Sequence, residues 1–151
     1  MSGAPGDTDA ARGATAIAGF RYARRVQFAE TDLAGMVHFS NFFRYMEEAE
    51  HALWRAAGMR IDSIESELKW PRVSAAFDFK RPLRFEDEFE VRVGIAAVTT
   101  RSIQYNHTIV RGDITVGIGT VTAACVQLGA DHVLRAVEIP ADILTRLRAR
   151  L

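Results

Sequence analysis

The stretch from residue 29 to residue 54, AETDLAGMVHFSNFFRYMEEAEHALW, decides the fold and raises the functional question. It places one acidic residue, Asp32, in a loop of small residues, followed by Gly35 and His38, just ahead of an aromatic-rich segment. Ser40 and Asn41 are good capping types, and Gly58 is a residue type common just past a helix end. The spacing predicts a helix from Phe39 or Ser40 to Ala57. Phe42, Tyr45, Met46, Ala49, Leu53 and Ala56 recur at helical spacing and define one apolar face. Arg44, Glu48, His51 and Arg55 cluster opposite it, and Phe43, Glu47, Glu50 and Trp54 form a flank of mixed character.

On the N-terminal side, FRYARRVQF reads as a strand with Tyr22, Val26 and Phe28 as its apolar points. From residue 70 onward the period changes to two. RVSAAFDFK alternates Val73, Ala75, Phe77 and Phe79 against Ser74, Ala76, Asp78 and Lys80. EFEVRVGIAAV does the same with Phe89, Val91, Val93 and Ile95, and RSIQYNHTIVR with Ile103, Tyr105, His107 and Ile109. ITVGIGTVTAACVQL is long, β-branched and interrupted by Gly117 and Gly119, which suits a bent strand. The connections at Gly112-Asp113 and Thr99–Arg101 are short, so neighbouring strands are expected to be antiparallel. HVLRAVEIP adds a short strand, and a terminal helix over 140–150 starts at a proline. The predicted class is α+β: one strand, one long helix, then four or more antiparallel strands. A single helix covers only one face of such a sheet. The sheet is therefore expected to curl round it, with a partner subunit protecting the remainder.

The chain has 151 residues, 48% hydrophobic and 25% charged, with a formal net charge of zero. That is the size of one domain and gives no general attraction to nucleic acid or to an anionic membrane. The single cysteine, Cys125, excludes an intrachain disulfide and reads as a buried, inert thiol. Residues 1–19 are small and polar and are expected to form a disordered tail, with residues 20–151 a single domain. No signal-peptide pattern or bilayer-length apolar run is present, so a cytoplasmic protein without membrane insertion is expected.

Several chemistries lack their parts. There is no G-x-S-x-G, P-loop or G-x-G-x-x-G motif, and GIGT at 117–120 lies inside a strand pattern. The histidines show no metal-ligand spacing, so no metal site is expected, and no basic run is interleaved with exposed aromatics. What remains is a carboxylate near a helix N-terminus, where unpaired backbone N–H groups and the helix dipole favour negative charge. Such an end can hold the oxygen of a polarised carbonyl, and a carboxylate from the preceding loop can attack that carbonyl or activate water. Gly35 lets the backbone pass close to a bound acyl group. A loop aspartate equally serves as a turn or cap residue, and the residues alone leave both readings open.

Thr31-Asp32, Gly35, Val37, Asn41 and the aromatic Phe42, then Glu47 and Ala49, resemble the opening signature of the 4-hydroxybenzoyl-CoA thioesterase family, which includes the Tol-Pal-associated type. FKRPLRFEDEFEVRV and RSIQYNHTIVRG resemble that family's later strands, so the similarity runs from about residue 20 to 130. It implies a hotdog fold: a long central helix wrapped by a five- to six-stranded antiparallel sheet, here with a short C-terminal helix. It implies a homodimer or homotetramer. The activity implied is hydrolysis of an acyl-CoA thioester without a metal or separate cofactor, coenzyme A being part of the substrate. By the same resemblance Asp32 is the catalytic carboxylate, as nucleophile or as general base. The polarising donor is the backbone N–H of Phe39.

Candidate substrate contacts are His38, Asn41, Phe42, Glu47, Arg101 and Ser102. Ser102 matches a polar family position. Arg81, Arg84, Arg101 and Arg111 are candidates for the coenzyme A phosphates. Another hotdog branch uses a helix glutamate, which would fall on Glu47; the preferred reading of Glu47 is a helix surface residue or an arginine partner across a dimer, because Asp32 already fills the family position. The chain also departs from its relatives. His38-Phe39 stands where many carry Tyr-His or Trp-Tyr, and Glu47 to Glu50 read EEAE where E-R-A-R is common. Acyl-carrier-protein thioesterase and non-catalytic acyl-CoA binding module are the competing functions. A hotdog dehydratase is disfavoured, because MVHFSNFF lacks the prolines of its histidine loop.

Overall fold

The computed structural model describes residues 19–61 and 66–151. The expected N-terminal tail therefore lies, up to residue 18, outside the described residues. Strand β1 (Phe20–Arg25) leads through a 3-10 turn (Phe28–Glu30) and a loop into helix α1 (Ser40–Ala56). Then follow β2 (Leu68–Lys69), β3 (Arg72–Phe79), β4 (Glu88–Val98), β5 (Ser102–Arg111), β6 (Ile114–Ala124), β7 (Val126–Leu128), β8 (Leu134–Ala136) and α2 (Ala141–Arg148). Five strands form one antiparallel sheet in the order β1-β4-β5-β6-β3, and β2-β7-β8 form a small second sheet. The helix lies across the large sheet, as the hotdog resemblance implies.

Helix α1 ends where the sequence predicts, because Gly58 adopts φ +75°, and Met59 N–H reaches back to the carbonyl of Trp54. Its buried apolar residues are Phe42, Tyr45, Met46, Ala49, Leu53 and Trp54, and all of these but Met46 share one core cluster with Phe89, Val91, Val93, Ile103, Tyr105 and Ile109 of the sheet. The alternation predicted for β4 and β5 is thus the core face. Gly119 is required by this packing: a Cβ there would meet Met46 Sδ at 2.5 Å and Phe77 at 2.7 Å. The glycines of β6 therefore let a helix side chain and a neighbouring aromatic ring approach the strand backbone. The predicted long strand breaks at Cys125, and its last three residues pass to the second sheet.

One expectation is corrected and two are made more specific. Phe28 is not a strand residue; it is 74% exposed in the 3-10 turn, because the Glu30 carboxylate turns back to accept from the N–H of Gln27 and from Arg24. Glu48, opposite the apolar face of α1, forms a half-buried ion pair with Arg24. The mixed flank of α1 is divided, with Glu50 and Trp54 buried and Glu47 exposed.

Strand β3 occupies a sheet edge, and its register shifts between Arg72 and Ser74. Of its predicted apolar positions, Val73 and Phe79 are 62% and 51% exposed, whereas Phe77 packs against Phe42. The strand pairings place Arg25, Phe79, Glu88 and the β5–β6 turn at one end of the sheet, together with the loop that carries Asp32. The β4–β5 turn lies at the other end.

Candidate active site

The loop ahead of α1 is closed by its own backbone. Thr31 and Val37 form an isolated antiparallel bridge, Asp32 N–H donates to Met36 O (2.8 Å), and Gly35 N–H donates to Asp32 O (3.0 Å). Gly35 has φ +73°, a left-handed conformation that glycine adopts at little cost. Within this frame the two oxygens of Asp32 differ. Its Oδ1 accepts from the N–H of Ala34 (2.9 Å) and of Met36 (3.4 Å), as a turn aspartate does. Its Oδ2 has no hydrogen-bond partner among the described residues, and the side chain is exposed.

The helix start is equally specific. His38 N–H donates to Glu30 O (2.9 Å), Ser40 N–H to His38 Nδ1 (3.3 Å), Asn41 N–H to His38 O (2.9 Å) and Phe42 N–H to Phe39 O (3.3 Å). Phe39 N–H alone in this run has no acceptor among the described residues. The backbone at Phe39 is already helical (φ −53°, ψ −33°), so its N–H belongs to the positive end of α1.

Asp32 stands between two grooves. One, with a volume of about 370 Å³, is lined by Asp32, Phe39 and Phe42 with Met36, Val37 and Phe79; Lys80 and Arg81 border it. That volume lies in the range of small-molecule sites, roughly 300–1,000 Å³. The other is lined by Asp32, Gly35, His38 and Asn41, with Phe28 and Phe85 meeting edge to face at 5.6 Å.

A network that the sequence reading missed holds this arrangement. Glu30 accepts from Arg24 Nη1, from Gln27 N–H and from Tyr45 Oη, each at 2.8 Å. Arg24 also donates to Glu48 (2.6 Å) and lies 4.6 Å from the Tyr45 ring centre. Burial by itself would raise the Glu30 carboxyl, but the hydrogen bonds from Arg24, Gln27 and Tyr45 outweigh it and hold the group below its ordinary value. Tyr45 is pushed up, by burial first and by its bond to Glu30 second. The main-chain carbonyl of Glu30 then takes the N–H of His38 and the Nδ2 of Asn41 (3.0 Å). Glu30 thus ties β1 and α1 to the residues flanking Phe39. The signal was available in sequence only as an acidic residue two positions before Asp32.

The predicted site residues separate into two sets. Asp32, Gly35, His38, Asn41, Phe39 and Phe42 come together around the two grooves. Asn41 lines one of them, but its amide is engaged with Glu30. Glu47 is exposed on α1 with His51 3.7 Å away and lines neither groove. Arg101 and Ser102 lie at the opposite end of the sheet, where the Ser102 hydroxyl meets that of Thr99 (2.7 Å). Arg111 is paired with Asp87, and Arg84 reaches Gly35 O. Trp54 and Trp70 are core residues that meet edge to face with ring centres 5.2 Å apart. Among the described residues no group of three or more His, Cys, Asp or Glu side chains is placed to hold a metal ion. No helix among them is long and apolar enough to cross a membrane.

A second polar cluster, unforeseen from sequence, lies beneath the sheet. Glu50 and His107 are fully buried; Glu50 Oε2 pairs with Arg72, and Glu50 Oε1 lies 3.1 Å from His107 Nε2. That last contact is close but poorly aligned as a hydrogen bond.

The model of the thioesterase-like superfamily matches residues 26–147, and the chain belongs to that superfamily. It is 32% identical over 130 residues to a protein of Aquifex aeolicus (strain VF5) that carries the name of an esterase, covering 85% of this chain and 98% of that one. It is 31% identical over 110 residues to the 1,4-dihydroxy-2-naphthoyl-CoA hydrolase of Thermosynechococcus vestitus, covering 71% and 75%. A crystal structure from Aquifex aeolicus superposes with a TM-score of 0.78 at 32% identity, covering 85% of this chain and 98% of that one. The chain is a hotdog-fold thioesterase, a hydrolase of thioesters.

Proposed function

We propose that the chain hydrolyses an acyl-CoA thioester to the free acid and coenzyme A, with Asp32 as the catalytic carboxylate and the Phe39 N–H as the carbonyl's hydrogen-bond donor. One observation carries this reading: Asp32, whose Oδ2 has no partner among the described residues, and Phe39, whose N–H likewise has none, line the same groove. The N–H is fixed before substrate arrives, so its stabilisation of a developing oxyanion requires no reorganisation. Asp32 acts as nucleophile through an anhydride or as general base for water. A coenzyme A substrate is favoured over a carrier-bound one by the naphthoyl-CoA relative and by Lys80 and Arg81, which border the groove and suit phosphate groups. We place the chain on the 4-hydroxybenzoyl-CoA branch of the superfamily, next to the Tol-Pal-associated type.

The working unit we propose is a homodimer, alone or paired into a tetramer. Val73 and Phe79 lie exposed on an edge strand, an arrangement that a second copy would cover. Arg101, Ser102 and Glu47 can enter the site only from that second copy. A sedimentation measurement showing a stable folded monomer would remove the dimer.

The discriminating variant is Phe39→Pro. The native φ of −53° suits proline and the N–H it removes is unengaged, so the helix start is retained. Loss of this donor is expected to lower kcat by about 10²–10³-fold, whereas Phe39→Ala keeps the donor and most activity. Equal activity of the two variants would remove the assignment.

A further inference from the structure

Asp32 borders two grooves, and the Phe39 donor accounts for only one. In the other, His38 is held in an unusual way. Its Nδ1 receives the backbone N–H of Ser40 at 3.3 Å and meets the Ser40 hydroxyl at 2.8 Å. A backbone N–H can only donate, so Nδ1 carries a lone pair; the hydroxyl then donates as well, and the ring proton is on Nε2. The ring also lies 4.6 Å from the Phe39 ring at 35°, which limits its rotation. With Nδ1 accepting, the ring's donor is Nε2–H, and His38 lines the groove that shares Asp32.

We propose that His38 is a catalytic hydrogen-bond donor to the departing thiolate. This rests on the assignment of Asp32 and deepens it. Two atoms on the reacting carbon gain negative charge during thioester cleavage, the carbonyl oxygen and then the sulfur. Each of the two grooves that Asp32 borders is lined by one donor residue: Phe39, whose N–H we assign to the oxygen, and His38, whose Nε2–H we assign to the sulfur. An oxygen–carbon bond forms from Asp32 or from water that gives its proton to Asp32, and the carbon–sulfur bond breaks with its electron pair passing to sulfur. The Nε2–H stabilises that thiolate without surrendering its proton, since loss from a neutral ring would leave an imidazolate. The thiolate takes its proton from solvent in the open groove. A neutral histidine acting as an electrophile in this sense is chemically sound.

The test compares two esters of the same acyl group, the coenzyme A thioester and a thiophenyl ester whose thiolate needs little help. His38→Asn keeps an acceptor for the Ser40 N–H through Oδ1 but lacks the Nε2 donor. It is expected to lose about tenfold or more in kcat/KM on the coenzyme A thioester and far less on the thiophenyl ester. His38→Gln, whose longer amide returns a donor to the groove, is expected to restore part of the coenzyme A activity. An equal loss on both esters, or no loss on either, would overturn the assignment. Asp32→Asn separates the two hypotheses. If it is inactive on both esters while His38→Asn falls uniformly, only the His38 role is lost. If Asp32→Asn keeps full activity on both, the Asp32 reading falls.

Discussion

Asp32 and Glu50 are carboxylates less than twenty residues apart in the chain, yet the molecule treats them in opposite ways. Asp32 is exposed at the loop end of the sheet, with one oxygen fixed by two backbone N–H groups and the other unengaged among the described residues. Glu50 is fully buried on α1, with one oxygen on Arg72 and the other against His107. The first keeps a lone pair and solvent access, which a nucleophile or base needs. The second is buried between a cation and a histidine. A carboxylate's chemistry here is set by which of its oxygens the fold leaves unbound.

The comparison can be broken most sharply at Asp32. Asp32→Asn keeps the Oδ1 acceptor for Ala34 and Met36, so the fold should persist while the rate of thiol release falls by about 10²–10⁴-fold. Unimpaired thiol release would move the chemistry elsewhere, with Glu50 and Glu47 the next carboxylates to test. At Glu50 the expected loss is in stability. Glu50→Leu leaves Arg72 and His107 without their anion and is expected to cost about 3 kcal/mol in denaturant unfolding. Replacing all three residues together by apolar ones of similar size should recover much of that loss. A single Glu50→Leu variant with wild-type stability would show that the cluster is not structural.

Glu30 lies between these extremes, and its effect is smaller and depends on pH. Its folded carboxyl sits below its ordinary value through Arg24, Gln27 and Tyr45. A depressed carboxyl contributes stability above the unfolded value, about 4.3, and loses it as pH falls through the folded value. The gap in Tm between wild type and Glu30→Gln should therefore be open at neutral pH and narrow below about pH 4. A gap constant down to pH 3 would show that the pairing contributes nothing.

Much of the architecture was legible because it follows from period and punctuation. The apolar face of α1, its end at Gly58, the alternation in β4 and β5 and the short turns between strands are all local signals. The pairing of Glu50 with Arg72 and His107 was not legible, since the three residues come from α1, β3 and β5 and meet only through the curl of the sheet. Phe28 misled for a related reason: a β-type residue was pulled into a 3-10 turn by the Glu30 carboxylate. The candidate site was legible in part. Asp32, Gly35 and Phe39 are adjacent in sequence, whereas Glu30's hold on the helix entry depends on Arg24 and Tyr45, which the fold brings in from either side.

The sequence by itself determined the class of the fold and the candidate carboxylate, because helix and strand periods and an acidic loop ahead of a helix are written in neighbouring residues. Tertiary structure alone decided which donors and lone pairs remain free. Hydrogen bonds to Glu30, His38 and the loop backbone engage the N–H groups on either side of Phe39 and, among the described residues, leave the Phe39 N–H and Asp32 Oδ2 unengaged on two residues that line one groove. That selection depends on directional bonds between elements that meet only in three dimensions.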